Sequence, residues 1–418
     1  MADIILTINA GSSSVKFSAQ RVAEGQLTPL ALGQIDGVGS QATFSATTGR
    51  GEKTHFALDS SRHAADHAMA LTAVLDWLEQ QKFGGKVVGV GHRIVHGGPA
   101  FSEPVRLDDE ILRQLRAFEP LAPLHQPFNL AGVDAAIQAF PNAAQVACFD
   151  TAFHRRHPFI ADTFALPRKY YDEGVRRYGF HGLSYEFITR ILRHEEPVLA
   201  RGKVIVAHLG NGASLCAIDA GKSVASTMGF TALDGVPMGT RCGQLDPGVV
   251  LYLMSEKKMS ADEITELLYK NSGLKGMSGV SNDIRDLEAS AEPSARDAID
   301  YFVSRVRREI GGLAAVLGGL DCIVLTGGIG ENAVNIRRAI LKDMEWFGVQ
   351  IDEAANSRNE RVISEKGSPT VALILKTDEE RMIAAHTAEL LGLKEPLGAR
   401  PAAAKAETRP GHALCDPP

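Results

Sequence analysis

The chain has 418 residues, of which 44% are hydrophobic and 22% are charged. This balance is ordinary for a globular protein of two or three domains and excludes an intrinsically disordered chain. Its 44 lysines and arginines against 50 acidic residues give a formal net charge of -6, which excludes proteins that engage nucleic acids or membrane surfaces through an overall positive field. Any polyanion must therefore meet a local cluster of basic residues.

The five cysteines are scattered along the chain and never spaced as CxxC. We therefore expect neither a disulfide framework nor a zinc site, and infer a reducing compartment. The first residues lack the basic and apolar regions of a signal peptide, and the most apolar stretch, 311–330, is broken by glycines and an aspartate. We expect a cytoplasmic protein with no membrane partner and no nucleic-acid partner.

The first predicted elements are a strand from Ile4 to Ile8, a glycine–serine turn at 9–14 and a second strand. The same layout returns mid-chain as VIVAHLGNGASLCAID, with an offset of 201 residues that places Gly11 on Gly212. This offset is about half the chain. We interpret it as an internal duplication, with one hairpin opening each of two similar domains.

Strands and helices alternate through the rest of the chain, which predicts an α/β fold. The last helix is predicted to be capped by Thr377, with Glu380 completing a capping box, and to end near Leu393. Residues 394–418 are rich in proline and alanine, which predicts a disordered tail. The other predicted elements are strands at 87–95, 143–150, 321–328 (running into a glycine turn) and 371–376, and helices at 108–118, 299–317 and 332–341.

Three glycine-rich turns follow predicted strands, at 9–14, 208–214 and 326–332. Such turns expose backbone N–H groups with little side-chain bulk, which suits contact with phosphate. None of them is a P-loop or a GxGxxG turn before a helix. A single turn of this kind is usually only a hairpin connection, but three in one α/β chain favour binding of a nucleotide.

Several charged residues are candidates for chemistry. Arg93 lies within a strand, where it is either a structural ion pair or a guanidinium fork held for a carboxylate or phosphate. Arg241 and His181, taken alone, are ordinary loop residues. Asp150 ends a strand, as active-site acids and helix caps both do. Glu379 is not used by the predicted capping box, which leaves its oxygens free to orient magnesium.

Together these segments resemble the acetokinase family, within the superfamily that also contains sugar kinases, heat-shock ATPases and actin. The resemblance runs in family order from residue 6 to about residue 393, so it covers nearly all of the chain except the tail. The matching motifs are INAGSSSVKF, VGHRIVHGG, LAPLHQPFN, FDTAFH, RYGFHGLSY, AHLGNGAS, MGFTALDGVPMGTRCGQLDPG, GMSGVSNDIRDLE, LTGGIGEN and KTDEE.

The resemblance implies two duplicated actin-like (ribonuclease H-like) domains around a nucleotide cleft. Residues 1–152 and 380–393 would form the first domain, residues 153–379 the second, and two copies of the chain would form a homodimer. The implied reaction is reversible, direct in-line phosphoryl transfer, ATP + acetate ⇌ ADP + acetyl phosphate. It would require Mg²⁺, with Mn²⁺ as an alternative, and propionate is an alternative acceptor.

The resemblance also implies residue roles. Asn9 and Glu379 would hold magnesium, Lys16 would contact ATP, and Arg93 would bind the acyl substrate. His181 and Arg241 would stabilise the transition state near His125, and Asp150 would take the family's active-site position. The acyl pocket would be lined by Val95, Leu124, Phe180 and Ala232. The nucleotide would lie against His208, Leu209, Gly210, Asn211 and Gly212, against Asp283, Ile284 and Arg285, and against Gly328, Ile329, Gly330, Glu331 and Asn332.

The chain departs from the family pattern at Cys242, Gln244, Gln126 and Ala232, the last of these where proline commonly lines the acyl pocket. Cys242 beside Arg241 suggests the hypothesis that activity is sensitive to oxidation. The alternatives that remain are a propionate or butyrate kinase with the same machinery, a sugar kinase, which needs a base for its hydroxyl nucleophile, and an actin-like ATPase, which needs no acceptor.

Overall fold

The computed structural model describes residues 2–11, 14–58, 67–122 and 125–393. Over these ranges the chain forms two β-sheets with helices packed around them, as the predicted α/β class requires. Within the same ranges, no helix is both long enough and apolar enough to cross a lipid bilayer. The predicted tail at 394–418 lies outside the described residues.

The first sheet has eight strands in the order β5-β4-β3-β2-β1-β6-β8-β7. Strand β1 pairs antiparallel with β2 and parallel with β6, so the predicted N-terminal hairpin is confirmed. The strands are β1 (Ala2–Ala10), β2 (Ser14–Ala23), β3 (Gln26–Asp36), β4 (Thr43–Thr48), β5 (Lys53–Ala57), β6 (Gly85–Ile94), β7 (Val105–Arg106) and β8 (Ala144–Phe149).

The second sheet has five strands in the order β11-β10-β9-β12-β13. Its strand β9 pairs antiparallel with β10 and parallel with β12, which repeats the pairing of β1 with β2 and β6. The sequence repeat therefore corresponds to a repeat of topology. The strands are β9 (Lys203–Leu209), β10 (Ala213–Asp219), β11 (Lys222–Ser226), β12 (Cys322–Thr326) and β13 (Val371–Ile374).

Fifteen α-helices are present in the described ranges. They are α1 (His67–Gln80), α2 (Asp109–Ala117), α3 (Gln126–Ala139), α4 (Phe159–Asp162), α5 (Arg168–Asp172), α6 (Gly182–Glu195), α7 (Pro247–Ser255), α8 (Ala261–Lys270), α9 (Gly273–Ser278), α10 (Ile284–Ala289), α11 (Pro293–Leu317), α12 (Gly327–Asn332), α13 (Val334–Leu341), α14 (Glu353–Ser357) and α15 (Glu379–Leu390).

Helix α11 covers the second sheet with Phe302, Val306 and Ile310, which are fully buried at the helical spacing that predicts it. Helix α15 lies against the first sheet although it comes last in the chain. Two glycines of β6 permit this approach, because a Cβ on Gly89 or Gly91 would collide with the side chains of α15. The last helix thereby completes the core built by the first strands.

Two local predictions are wrong. Helix α15 is capped by Asp378, whose side chain accepts a hydrogen bond from the Arg381 N–H, and Thr377 lies outside the cap. Asp378 is preferred because its carboxylate, one residue nearer the helix, reaches the free N–H groups of the first turn. The glycine turn at 326–332 is itself a helix, α12, so Asn332 ends one helix and does not begin α13.

Candidate active site

A cavity of about 490 Å³ opens where the carboxyl ends of β1, β6 and β9 meet the N-termini of α6 and α15. This edge of a parallel sheet is where α/β proteins bind ligands. A second cavity, of about 570 Å³ beside α1 and α3, is lined mainly by apolar residues. The 490 Å³ cavity is lined by Asn9, Gly11, Ser14, Lys16, Arg93, His125, His181, His208, Gly210, Asn211, Gly212, Arg241, Gly327, Gly328, Glu331, Thr377, Glu379 and Glu380.

Arg93 and Asp150 form an ion pair at the ends of the neighbouring strands β6 and β8. Arg93 donates from Nε to both carboxylate oxygens of Asp150, at 3.0 and 3.1 Å, and from Nη2 to Oδ2 at 2.6 Å. Burial alone would lower the pKa of Arg93, but the charges of Asp150 and Glu379 raise it well above its usual value. Both interpretations of Arg93 therefore hold: it is ion-paired, and it faces the cavity.

Burial raises the pKa of Asp150, and the charge and hydrogen bonds of Arg93 act against this rise. The carboxylate is 1% exposed and fully engaged with the guanidinium. It does not line the cavity. Asp150 is thus placed to orient Arg93 and has no free lone pair directed toward a substrate.

Three oxygen-bearing side chains meet beside Arg93. Asn9 accepts from Nη1 of Arg93 at 3.1 Å and donates to Glu379 at 3.4 Å and Glu380 at 3.2 Å. Ser184 donates to the other oxygen of Glu379 at 2.7 Å. Burial would raise the pKa of Glu379, but the charge of Arg93 and the hydrogen bond from Ser184 lower it, so this carboxylate is ionised.

This donor set fits Mg²⁺, which takes hard oxygen ligands and usually combines one or two carboxylates with waters and substrate phosphates. In the described part of the chain, no group of three or more histidine, cysteine, aspartate or glutamate side chains could hold an ion without such help. A cation bound at Asn9 and Glu379 would therefore depend on its phosphate partner for further ligands.

His181 is the left-handed residue that precedes α6, at φ 57°. Its Nδ1 lies 2.8 Å from the Ser214 hydroxyl, which in turn contacts the Tyr185 hydroxyl. Burial raises the pKa of Tyr185 well above 10, so this phenol stays protonated and has a proton to donate. A chain in which Tyr185 donates to Ser214 and Ser214 donates to Nδ1 would place the proton of the neutral imidazole on Nε2, facing the cavity.

The imidazole is neutral because burial, together with the charges of His208, Arg93 and Arg241, lowers the pKa of His181 well below 6.5. The His208 ring stacks on it at 4.4 Å between ring centroids, and burial lowers the pKa of His208 as well. Burial, then the charges of Arg241 and Arg93, lowers the pKa of His125 to about 3. All three histidines that line the cavity are therefore uncharged at neutral pH.

Arg241 projects from the loop before α7. It donates from Nη1 to the carbonyl of Ala232 at 2.9 Å, and no carboxylate pairs with it among the described residues. Burial lowers its pKa, with a further contribution from Arg93. A Cβ built on Gly212 would lie 3.3 Å from Nε2 of His181 and 3.9 Å from Nη1 of Arg241. The two donors converge on one point, which a side chain at 212 would block.

Residues proposed for the acyl pocket meet in one apolar cluster. Val95 and Phe180 are buried in it, and Ala232 packs against it. Leu124 lies outside the described residues. Gln126, one of the departures from the family pattern, is fully buried, and its amide holds both the N–H and the carbonyl of His96 at 3.2 and 3.1 Å.

The proposed nucleotide residues divide into two groups. Lys16, His208, Gly210, Asn211, Gly212, Gly328 and Glu331 line the cavity. Leu209, Ile329, Gly330, Asn332 and the segment 283–285 do not line it. Asp283 and Arg285 form an ion pair with each other, and Asn282 donates to Asn211 at 3.3 Å, which connects this segment to the cavity wall.

Sequence reasoning missed four residues of the site. Glu380 was assigned to a capping box but contacts Asn9, and Thr377, Ser184 and Ser214 orient the charged groups. The offset that pairs Gly11 with Gly212 also places Ser13 opposite Ser214. That correspondence was the one signal that could have marked Ser214 as a hairpin residue of the site.

Comparison with known proteins agrees with this geometry. The chain is 57% identical over 399 residues to an acetate kinase of Methylocella silvestris, covering 94% of this chain and 98% of that one. A crystal structure of Porphyromonas gingivalis acetate kinase superposes with a TM-score of 0.82 at 35% identity, covering 93% and 100% of the two chains. A crystal structure of a Francisella tularensis propionate kinase superposes with a TM-score of 0.85 at 35% identity, covering 93% of this chain and 99% of that one. Residues 4–385 match the family described as the Acetokinase family. The chain belongs to the acetokinase family, and its fold is the actin-like fold of these kinases.

Proposed function

We propose that the chain catalyses reversible phosphoryl transfer from ATP to acetate, giving acetyl phosphate and ADP. The observation that carries this proposal is the convergence of Nε2 of His181 and Nη1 of Arg241 on one point beside Gly212. A carboxylate is already a nucleophile at pH 7, so the reaction needs no general base. The obstacle to the reaction is repulsion between two anions, the acetate and the phosphoryl group. Hydrogen-bond donors around the equatorial oxygens of the transferring phosphoryl group relieve this repulsion.

In this proposal Arg93 binds the acetate carboxylate, while Asp150 fixes the plane of its guanidinium. Arg241 and the neutral imidazole of His181 donate to the phosphoryl oxygens during in-line transfer, with His125 beside them. Because Arg241 has no acidic partner among the described side chains, its charge is available to the transition state. Lys16 and the glycine turns at 210–212 and 327–328 contact the nucleotide.

Asn9 and Glu379 would hold Mg²⁺, with Glu380 close by. When bound, the cation neutralises charge on the nucleotide phosphates and orients them. Mn²⁺, which also prefers oxygen ligands, is the alternative. Titrating the metal-free protein with Mn²⁺ in the presence of ADP tests this assignment, since Glu379→Gln should abolish the Mn²⁺ binding, whereas Glu365→Gln, at an exposed glutamate elsewhere, should not alter it.

The acyl substrate is proposed as acetate first and propionate second. An acetate kinase and a propionate kinase share this fold at the same 35% identity, so overall similarity to solved structures does not separate the two acids. Ala232 has a smaller side chain than the proline that is common in the family, and burial of one added methylene contributes about 0.8 kcal/mol.

We further propose a cytoplasmic homodimer of chains with two domains, 1–152 with 380–393 and 153–379. Helix α7 supports the dimer, because it is strongly apolar and none of its residues is buried. Leu251, Tyr252 and Met254 are 65%, 48% and 50% exposed, an apolar surface typical of an interface. Light scattering should give twice the mass of the 44.8 kDa chain, and Leu251→Lys should halve it.

The deciding experiment traps acyl phosphate with hydroxylamine after incubation with Mg-ATP and acetate, propionate, butyrate or no acid. A strong signal with acetate supports the proposal. ATP turnover without trapped product would favour the actin-like ATPase instead. Arg241→Ala should lose the signal, and Arg296→Ala, at an exposed arginine paired only with Asp300, should keep it.

A further inference from the structure

The strands β1 and β6 stop pairing just before the site. Their parallel register runs as far as Ile8 opposite His92. The residues after this point carry the chemistry, since Asn9 follows Ile8 and Arg93 follows His92. Nothing in the ladder itself fixes how far apart the two strand ends lie beyond that pair.

The side chain of Asn129, in the first turns of α3, bridges these two ends. Its Oδ1 accepts from the N–H of Val95 at 2.9 Å, and its Nδ2 donates to the carbonyl of Ala10 at 2.5 Å. Asn129 is 2% exposed, and both of its hydrogen bonds go to backbone groups. One side-chain amide thus takes the place of the missing ladder bonds. We call its hydrogen bond to Ala10 of β1 the donor arm and its hydrogen bond to Val95, just beyond the end of β6, the acceptor arm.

Asparagine is a poor choice for this position on helical grounds. It forms helices less readily than leucine or alanine, and its amide must be hydrogen-bonded when buried. An apolar residue would suit α3 and the surrounding core better, but it would leave the Val95 N–H and the Ala10 carbonyl without these partners. The residue type is therefore explained by the bridge and not by the helix.

We propose that Asn129 is a positioning residue that sets the separation between the metal side of the site, at Asn9, and the acyl side, at Arg93. This inference rests on the proposed function. The two arms act on different strands, so they should have separable effects. Arg93 is held by three contacts to Asp150 besides its 3.1 Å hydrogen bond to Asn9, so a shift of Asn9 should leave Arg93 largely in place.

The substitution Asn129→Asp keeps the acceptor arm to Val95 and removes the donor arm to Ala10. Its new charge also repels the Ala10 carbonyl. We expect the Mg²⁺ concentration for half-maximal activity to rise about tenfold, while the KM for acetate changes less than twofold. A tenfold change corresponds to about 1.4 kcal/mol.

Asn356→Asp is the matched control. Asn356 is also fully buried; its Oδ1 accepts from Arg337 at 2.8 Å, and its Nδ2 donates to the Val334 carbonyl at 3.1 Å, in the second half of the chain. This variant loses the same kind of arm away from the site. It should leave both kinetic constants unchanged, whatever the new carboxylate beside Arg337 does to the Tm.

If Asn129→Asp lowers the Tm and changes neither kinetic constant, Asn129 is merely structural and the inference is overturned. A wild-type protein that forms no acyl phosphate would overturn the proposed function instead. A second measurement needs no variant and no activity: the Val95 amide should exchange its hydrogen as slowly as the core amides of β6. Exchange as fast as that of exposed loops would show that the bridge is absent in solution, whether or not Asn129→Asp folds.

Discussion

Replacing Arg241 by alanine tests the central feature of the site, a half-buried cation without an acidic partner among the described residues. At about 4 Å from the developing phosphoryl charge, and at an effective dielectric constant of 20, this cation contributes about 4 kcal/mol. Loss of one such donor typically lowers kcat by a factor of about 100 to 1000. We expect a fall of that size, with a much smaller rise in the KM for ATP.

The stability of the same variant should change in the opposite sense to its activity. The substitution removes one charge-assisted hydrogen bond, from Nη1 to the Ala232 carbonyl, which is worth about 1.5–3 kcal/mol. It also removes the cost of holding a partly buried charge without a carboxylate partner, which offsets that loss. The Tm should therefore stay level or rise.

Coupled assays of acyl phosphate formation and calorimetry on the same preparation give both quantities. Equal losses in nucleotide binding, acyl binding and kcat would refute a role in the transition state. A marked fall in the Tm would instead show that Arg241 is structural.

Three further predictions concern the surrounding groups. Asp150→Asn should raise the KM for acetate at least tenfold and lower the free energy of unfolding by up to about 3 kcal/mol in urea, because it removes the nearer of the two carboxylates that pair with Arg93. Since the pKa of His125 is lowered to about 3, the imidazole is almost entirely neutral above pH 5. The kcat should therefore be constant from pH 6 to 8. A change of kcat with a midpoint near pH 6.5 would contradict a neutral site. Burial raises the pKa of Cys242 to about 11, so its thiolate is scarce at pH 7 and mild peroxide should leave kcat unchanged. Loss of activity in wild type but not in Cys242→Ser would restore the hypothesis of oxidation sensitivity.

Local patterns in the sequence predicted the elements well. The alternation around Ile4 and the helical spacing along 299–317 depend only on neighbouring residues, and the structure confirms both. A strand end pointed to Asp150, and a charge within a strand pointed to Arg93. Their direct pairing, however, depends on strand order, which no local pattern contains.

Local patterns could not predict the contacts that complete the site, and only the family resemblance brought Asn9 and Glu379 to one metal. Asn9 meets Glu379 across 370 residues, and no periodicity reports such a distance. The capping motif at Thr377 and Glu380 was misleading for the same reason. The motif fits a local rule, but Asp378 is the residue that caps the helix. Glu380 accepts a hydrogen bond from Asn9 and so belongs to the site.

The position of α15 against the first strands has a consequence for how the molecule is made. Ribosomes deliver the chain from its N-terminus, and early segments ordinarily begin to fold as they emerge. Here the buried surface of β1 and β6 stays uncovered until residues 379–390 have been released, since Ile383 and Thr387 of that helix fill the space above Gly91. A truncated product of interrupted translation would therefore lack Glu379 and Glu380 of the site and the helix that covers one face of the first sheet. Such a fragment would expose apolar strands to proteases and could not consume ATP, so incomplete copies are both inactive and easily removed.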